Sequence, residues 1–309
     1  MFAHYASQAR SNIYSQHYHN TMSDLASTYR ALLDCISQGK WDEILTYLHP
    51  TYNYNGKDFA AEDFAEFVKK EGNRFSSYTI TLDTILVNDD AQCIACRLYG
   101  KGKPADKMFG CDPTGQDVYF VEHHLVWFTG GKVSKTLYVL DIPSVRHQFK
   151  NPDEAYVLEL VNKAPVPASK TLSNQGLEDA ARTFFNSINA RTMASELPKI
   201  VHSDLWYNGK KLTLDMYLGL IDKSIPAIPD VQFHIHDVVA DQDTQRIFVR
   251  LEHHCTPAKE IAGLVPNGQA VRFAEHVIYQ FEDGKISRMW AIVDWEGARR
   301  QMAAKQSPV

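Results

Sequence analysis

The chain has few cysteines, no clustered positive charge and no long apolar run, and each absence removes a class of protein. Five cysteines scattered over 309 residues are too few for a disulfide framework. Cys93 and Cys96 form a C-x-x-C inside QCIACRLY, but that stretch reads as a strand. Residues three apart on a strand point to opposite faces, so two buried thiols are expected rather than a redox pair. The formal net charge is −5. Nucleic-acid binding needs clustered Lys and Arg to displace counterions, so no nucleic-acid partner is expected. No segment has the apolar length of a membrane span, and no membrane partner is expected either. The opening MFAHYASQARSNIYSQHYHN lacks the apolar h-region of a secretory signal, which points to a cytoplasmic protein.

What is present looks globular. Hydrophobic residues make up 44% and charged residues 22%, and the length suits roughly two domains at about 150 residues each. Such a chain buries a sizeable core without staples.

The strongest internal signal is a repeat. YNGK occurs at Tyr54–Lys57 and again at Tyr207–Lys210, each preceded by a histidine, His49 and His202. The same shift aligns Arg97-Leu98 with Arg250-Leu251, and Pro113, Gly115, Gln116, Phe120, Glu122 and His123 with Pro266, Gly268, Gln269, Phe273, Glu275 and His276. Residues 49–148 and 202–301 are identical at more than a quarter of their ungapped positions. A repeat of this period fixes the architecture before any local reading. Upstream, Leu25, Tyr29, Leu32, Leu33 and Ile36 share their spacing with Leu177, Ala181, Phe184, Phe185 and Ile188, one apolar stripe on an amphipathic helix. Thr21 and Asp24 fit a capping box before the first copy.

Each unit reads as a long helix, a short second helix, an Asn-Gly turn, a third helix and then four strands. In the first copy the strands fall at roughly 78–87, 92–101, 117–129 and 132–141. TGGK at 129–132 and EDGK at 282–285 are hairpin turns. Helices followed by an antiparallel meander define an α+β unit, whose sheet curls around its helices into a cone. The predicted organisation is a polar extension at 1–22, one unit at 23–150, a linker at 151–174 and a second unit at 175–305.

These residues resemble the C-terminal half of SnoaL-like polyketide cyclases, within the nuclear-transport-factor-2-like superfamily. The second copy carries Gly263, Pro266, Gly268, Gln269, Asp283-Gly284-Lys285-Ile286, Trp290 and Asp294; the first carries Gly110, Pro113, Gly115, Gln116 and Asp141. It departs from the pattern at Gly130 and Leu137. The resemblance implies two cone-shaped α+β barrels, paired through their sheets as an intramolecular pseudo-dimer, with pairing between copies through the sheets also in view. It implies no metal and no organic cofactor. It further implies that an aspartate late in the last strand is the general acid/base of an aldol-type ring closure, which here is Asp294.

In MWAIVDW, 289–295, Trp290, Ile292 and Asp294 share a strand face. Desolvation among apolar neighbours makes a carboxylate a usable acid or base. The competing reading is that Asp294, like Asp141, caps the helix that follows it. RFAEHVIYQF has one face of Arg272, Ala274, His276, Ile278 and Gln280, and another of Phe273, Glu275, Val277, Tyr279 and Phe281. The second is more apolar, and either face is a candidate for the pocket. His276 beside Asp294 would orient a carbonyl or relay its proton; a histidine satisfied by structural hydrogen bonds is the alternative. Arg97 with Glu122, and Arg250 with Glu275, read as structural ion pairs. His234, His236, His253, His254 and Glu252 invite a metal reading, which Thr81 and Asp83 at the matching first-copy positions weigh against.

The expectation is therefore a cofactor-independent enzyme: a cyclase, isomerase or dehydratase moving a proton next to a carbonyl. Its substrate would be a small apolar metabolite of polyketide or terpenoid type. Asp294 and His276 would act, with Trp290, Gln280, Tyr207, Ile278 and Ile292 around the substrate. Asp141, His123, Trp127 and Tyr54 are the weaker first-copy counterparts. A non-catalytic small-molecule-binding or scaffold protein is the alternative.

Overall fold

The structure, a computed structural model, describes residues 24–304. The 1–22 extension and Thr21 of the proposed capping box lie outside the described residues. In the first half, α1 (24–37) and a 3-10 turn (Glu43–Thr46) precede β1 (Leu48–Tyr54) and β2 (Lys57–Ala60), then α2 (Ala61–Gly72), β3 (Phe75–Asn88), β4 (Cys93–Pro104), β5 (Val118–Thr129), β6 (Lys132–Leu140) and α3 (Ile142–Lys150). The second half repeats this as α4 (Asn174–Asn189), α5 (Met193–Ile200), β7 (Val201–Tyr207), β8 (Lys210–Thr213), α6 (Leu214–Ser224), β9 (Gln232–Asp241), β10 (Arg246–Cys255), β11 (Val271–Glu282), β12 (Lys285–Val293) and α7 (Trp295–Ala304). Each half holds a six-stranded sheet, ordered β2-β1-β6-β5-β4-β3 and β8-β7-β12-β11-β10-β9. β1 joins β6, and β7 joins β12, in parallel; the other pairings are antiparallel.

Two features differ from the sequence expectation. Residues 48–54 form a strand, so YNGK closes the β1–β2 and β7–β8 hairpins instead of joining two helices. Asn55 and Gly56 have φ of 48° and 81°, and Asn208 and Gly209 have φ of 45° and 78°, the left-handed pair that a tight hairpin requires. Asn55 also does a second job. Its Nδ2 donates to the Tyr138 carbonyl at 3.1 Å and its Oδ1 accepts from Tyr138 N at 2.7 Å, which pins the hairpin to β6. Asn208 does the same with Ala291 on β12.

The expected Arg–Glu pairs also do not form. Arg97 stands opposite His123 in the β4–β5 register, which puts it on the other sheet face from Glu122. Its Nη1 bonds Asp83 at 2.6 Å and the Glu159 carbonyl at 2.7 Å. Arg250 turns to Asp237 and Glu252. Asp83 further accepts from Val161 N and Asn162 N, so this buried ion pair fastens the inter-half segment to the first sheet.

The apolar stripes of α1 and α4 fill the concave side of each sheet. Leu25, Tyr29, Leu32 and Leu33 pack on Ile94, Cys96, Leu98 and Val126, and Leu177, Ala181, Phe184 and Phe185 pack on Ile247, Val249, Leu251 and Val277. The convex faces cover one another. Leu86, Ala95 and Leu125 pack on Val239, Phe248, Ile278 and Trp290, and Val121 and Val139 pack on Ile292. The two halves therefore form the pseudo-dimer within one chain. At its centre, His123 Nδ1 lies 3.0 Å from the His276 carbonyl and His276 Nδ1 lies 3.0 Å from the His123 carbonyl. No described helix is long and apolar enough to cross a membrane.

Candidate active site in the first half

The first cone holds a cavity of about 370 Å³. Its walls are aromatic, with Tyr52, Tyr54, Phe64, Phe67, Tyr78 and Phe120 among the lining side chains. Tyr54 stacks on Tyr138, ring centroids 4.9 Å apart. Tyr78 is seated over Gly100, where a Cβ would meet its hydroxyl at 2.8 Å.

Polar groups interrupt this lining at the Arg74–Glu71 ion pair, 2.8 Å, at Asn55, and in one constellation on β5. β5 presents Glu122 and His124, two residues apart and so on one face. His124 Nε2 lies 2.6 Å from Glu122 Oε2, and its Nδ1 lies 2.8 Å from the Tyr29 hydroxyl on α1. A carboxylate only accepts, so Nε2 carries the proton; in the neutral ring Nδ1 then accepts from Tyr29. Burial pushes the Tyr29 phenol well above its ordinary value, and burial followed by the nearby Glu122 charge raises that of Tyr138. Both hydroxyls therefore stay protonated donors at neutral pH. The relay Tyr29–His124–Glu122 can pass a proton at the wall of this cavity, with Tyr138 placed to bond an oxygen. At the rim the second half contributes Asp294 and Arg300.

The second cone carries a different set. Ala181, Leu205, Val277 and Ala291 stand where the first has Tyr29, Tyr52, His124 and Tyr138. Phe184, Phe185, Tyr217, Tyr279, Phe281 and Met289 are buried together in its core. Glu275, the counterpart of Glu122, is bound by His253 Nε2 at 2.7 Å, and His253 stacks on Phe273 at 4.7 Å. These side chains are structural filling. Phe281→Ala is expected to cost about 3–5 kcal/mol of stability, read as a shift in denaturant midpoint, without weakening ligand binding in the first cone at temperatures where the variant stays folded.

The residues singled out from sequence separate into three places. His276, Ile278, Trp290, Ile292, His123 and Trp127 lie on the faces turned toward the other half, so they do not surround a substrate in the cone. Gln280 is on that face as well, its Oε1 accepting from Arg246 at 3.0 Å and its Nε2 donating to the Pro165 carbonyl at 2.8 Å. Tyr54 lines the open cavity. Tyr207 packs on Tyr217 in the second cone, ring centroids 5.6 Å apart.

Asp141 and Asp294 sit just past β6 and β12 and cap the helices that follow, Asp141 Oδ1 accepting from Ser144 N at 3.1 Å and Asp294 Oδ1 from Gly297 N at 2.8 Å. The equivalent capped position in the first half is Ser144, so the cap itself does not depend on glycine at 297. The histidines of β9 and β10 divide between the two faces of the sheet, with His234 packed on His254 at 4.2 Å between ring centroids. His253 points into the second cone, while His236 and His254 share Glu252 on the opposite face.

The reason for the misplacement is physical. Both faces of β5 and β11 are buried, so polarity alternation carries no directional signal. The β5 and β11 histidines shared by the two copies, His123 and His276, are the ones that meet at the pseudo-twofold axis. The informative positions are those at which the copies differ: His124 against Val277, Tyr29 against Ala181, Tyr138 against Ala291.

With this geometry in place, comparison with known proteins gives the class. The family model described as SnoaL-like polyketide cyclase matches residues 26–149 and again residues 178–302. The chain belongs to this family and carries two tandem copies of its domain. Aklanonic acid methyl ester cyclase AcmA of Streptomyces galilaeus is similar, 28% identical over 117 residues that span 36% of this chain and 81% of that protein. Among solved structures, a SnoaL-like polyketide cyclase from Agrobacterium tumefaciens str. c58 is 33% identical over 41% of this chain and 97% of its own, with a TM-score of 0.38. TsrD from Streptomyces laurentii is 17% identical over 43% and 98%, with a TM-score of 0.39.

Proposed function

We propose that the first half is a cofactor-independent proton-transfer catalyst, closing or isomerising a small apolar molecule that bears an enolisable carbonyl. The observation that carries this reading is the Tyr29–His124–Glu122 relay, polar and contiguous, at the wall of a cavity rich in aromatic side chains. A cavity of about 370 Å³ is of a size for a compact polycyclic or folded polyketide-like substrate. The similarity to a cyclase named for aklanonic acid methyl ester supports the same substrate class.

In this reading Glu122 takes a proton from the carbon next to the carbonyl. The C–H electron pair moves into an enolate whose oxygen is held by the Tyr138 hydroxyl. The enolate carbon then attacks a second carbonyl of the same molecule. One carbon–carbon bond forms, and the new alkoxide recovers the proton through the His124–Glu122 pair. Nothing is oxidised or reduced, and the atoms balance without a co-reactant. His124 donates to Glu122 and keeps its reactive oxygen oriented; Tyr29 fixes the tautomer of His124. The aromatic walls exclude water, which strengthens each of these interactions. Asp294 and Arg300 are rim groups that meet polar substituents of the substrate, so that the second half completes the mouth of the first.

The test needs no knowledge of the natural substrate. A panel of cyclic and polycyclic ketones is incubated with the protein in D₂O, and exchange at the α-carbon is followed by proton NMR. Catalysed exchange on at least one apolar ketone, lost in Glu122→Gln, is the expected result. Tight binding with no exchange above the buffer rate would instead make the chain a binding module.

A further inference from the structure

Two glycines stand two residues apart inside β4, Gly100 and Gly102, where neither a turn nor left-handed backbone calls for them. Glycine inside a strand weakens it and marks a place where another group must come close. Here the close groups are aromatic rings of β3. A Cβ at Gly100 would meet the Tyr78 hydroxyl at 2.8 Å and its Cε2 at 2.9 Å; one at Gly102 would meet Phe75 at 2.7 Å and the Tyr78 ring at 2.9 Å. Phe75 stacks on Tyr78 with ring centroids 4.8 Å apart, and Phe120 meets Phe75 edge-on at 5.3 Å and Tyr78 at 6.4 Å. The phenol is thus held in one place across β4.

The second half does not repeat this. His253, Cys255, Val231 and Ile228 stand where the first has Gly100, Gly102, Tyr78 and Phe75. The departure joins those at Tyr29, His124 and Tyr138, and Tyr78 and Gly100 line the same cavity as these. Among the described residues no hydrogen bond holds the Tyr78 hydroxyl; burial, then the nearby Glu122 charge, raises its pKa, so it stays a protonated donor at neutral pH. Its position follows from the register. Tyr138 of β6 lies opposite His124 of β5, and Gly100 of β4 lies opposite Phe120, two residues from Glu122. The two phenols therefore flank β5 from opposite sides, Tyr138 on β6 and Tyr78 across β4.

We infer that Tyr78 is a second oxygen-binding group of the first cone, which holds the carbonyl under attack while Tyr138 holds the enolate. This rests on the proton-transfer reading above and extends it to the bond-forming step. As the enolate carbon bonds to the acceptor carbon, the C=O π pair moves onto the acceptor oxygen. The Tyr78 hydroxyl donates to that oxygen and stabilises the charge developing there. The alkoxide then takes back the proton that Glu122 removed. Atoms and charge balance, and Tyr78 keeps its own proton throughout. Enolisation involves no acceptor carbonyl, so the two steps depend on Tyr78 unequally.

The test uses the full chain with 2-(3-oxobutyl)cyclohexanone, an apolar diketone that can close on itself. Proton NMR in D₂O reads α-proton exchange and ring closure in one sample. Native protein should catalyse both. In Tyr78→Phe closure should fall by about 10²–10³-fold, the usual cost of one lost oxyanion donor, and the ratio of closure to exchange by about tenfold or more. Gly100→Ala keeps the phenol but displaces its hydroxyl, and should lower the same ratio. His124→Gln should instead lower both rates together. A ratio that holds in either Tyr78→Phe or Gly100→Ala overturns the inference, whether the two rates stay level or fall together, because the phenol is then packing. So does a native protein that exchanges the α-protons of the diketone without closing it. No exchange at all in the native protein is a different result: it defeats the proposed function, and this inference falls with it.

Discussion

With His124 replaced by glutamine, catalysed α-proton exchange should fall by about 10²–10⁴-fold, the usual contribution of a positioned acid/base group. Glutamine can still donate to Glu122 but cannot take up a proton, so the proton that Glu122 removes can no longer be shared with the position of the His124 ring. Binding of an apolar ketone should change little, because the aromatic walls of the first cone supply most of the contact. A fall in rate with affinity preserved is the signature of an interaction made in the transition state. A variant that loses affinity and rate together would make His124 a packing residue. Val277 at the equivalent second-half position shows that the fold accepts an apolar side chain there, so loss of folding is not the expected outcome.

The second large effect concerns acid stability. His123 and His276 are 0% and 1% exposed and bond one another's carbonyls. Burial pushes the His276 imidazole down to about 3 from an ordinary 6.5, and burial pushes His123 well below its ordinary value too. Both are therefore neutral when folded. Below pH 6.5 the unfolded chain takes up two protons that the folded chain refuses until far lower pH. Stability consequently falls as pH drops from about 6.5 toward 3, and the pair adds no pH dependence above that window. The linkage is about 1.4 kcal/mol per histidine per pH unit. Between pH 7.5 and 5.5 the pair should account for about 2.7 kcal/mol of lost stability. Urea denaturation of native protein and His276→Gln at the two pH values checks this. The variant should be less stable at pH 7.5 yet lose about 1.4 kcal/mol less on acidification. An equal loss in both proteins would mean that the pair titrates normally.

The repeat and the amphipathic stripes made the architecture readable. Leu25 to Ile36 and Leu177 to Ile188 sit on helices packed into their sheets, and the constant offset places the same elements in both halves. The β1–β2 hairpin was hidden because His49 to Tyr54 has no clean alternation, its first turn being fixed by side-chain bonds of Asn55 to Tyr138 far along the chain. The site was harder to read for a related reason. A sheet buried on both faces gives no sign of which face is concave; His276 stands out by its repeat at His123, and Trp290 and Asp294 by the family resemblance. What duplication preserves is mostly what two halves need in order to fold and pair: the Asn-Gly hairpins, the helix caps and the histidines at the pseudo-twofold. What it lets diverge is the chemistry. His124, Tyr29 and Tyr138 lack second-half copies, and they line the cavity.

Asp294 gives the most direct discrimination. The family resemblance assigns it the acid/base role, whereas the geometry gives it a cap on α7 and a place on the rim of the opposite cone. Exchange of an active ketone in D₂O, measured side by side for native protein, His124→Gln and Asp294→Asn, separates the two. A relay in the first cone predicts loss of about 10²–10⁴-fold in His124→Gln and a change of less than about tenfold in Asp294→Asn, whose asparagine still caps α7. Exchange abolished in Asp294→Asn and intact in His124→Gln would contradict it.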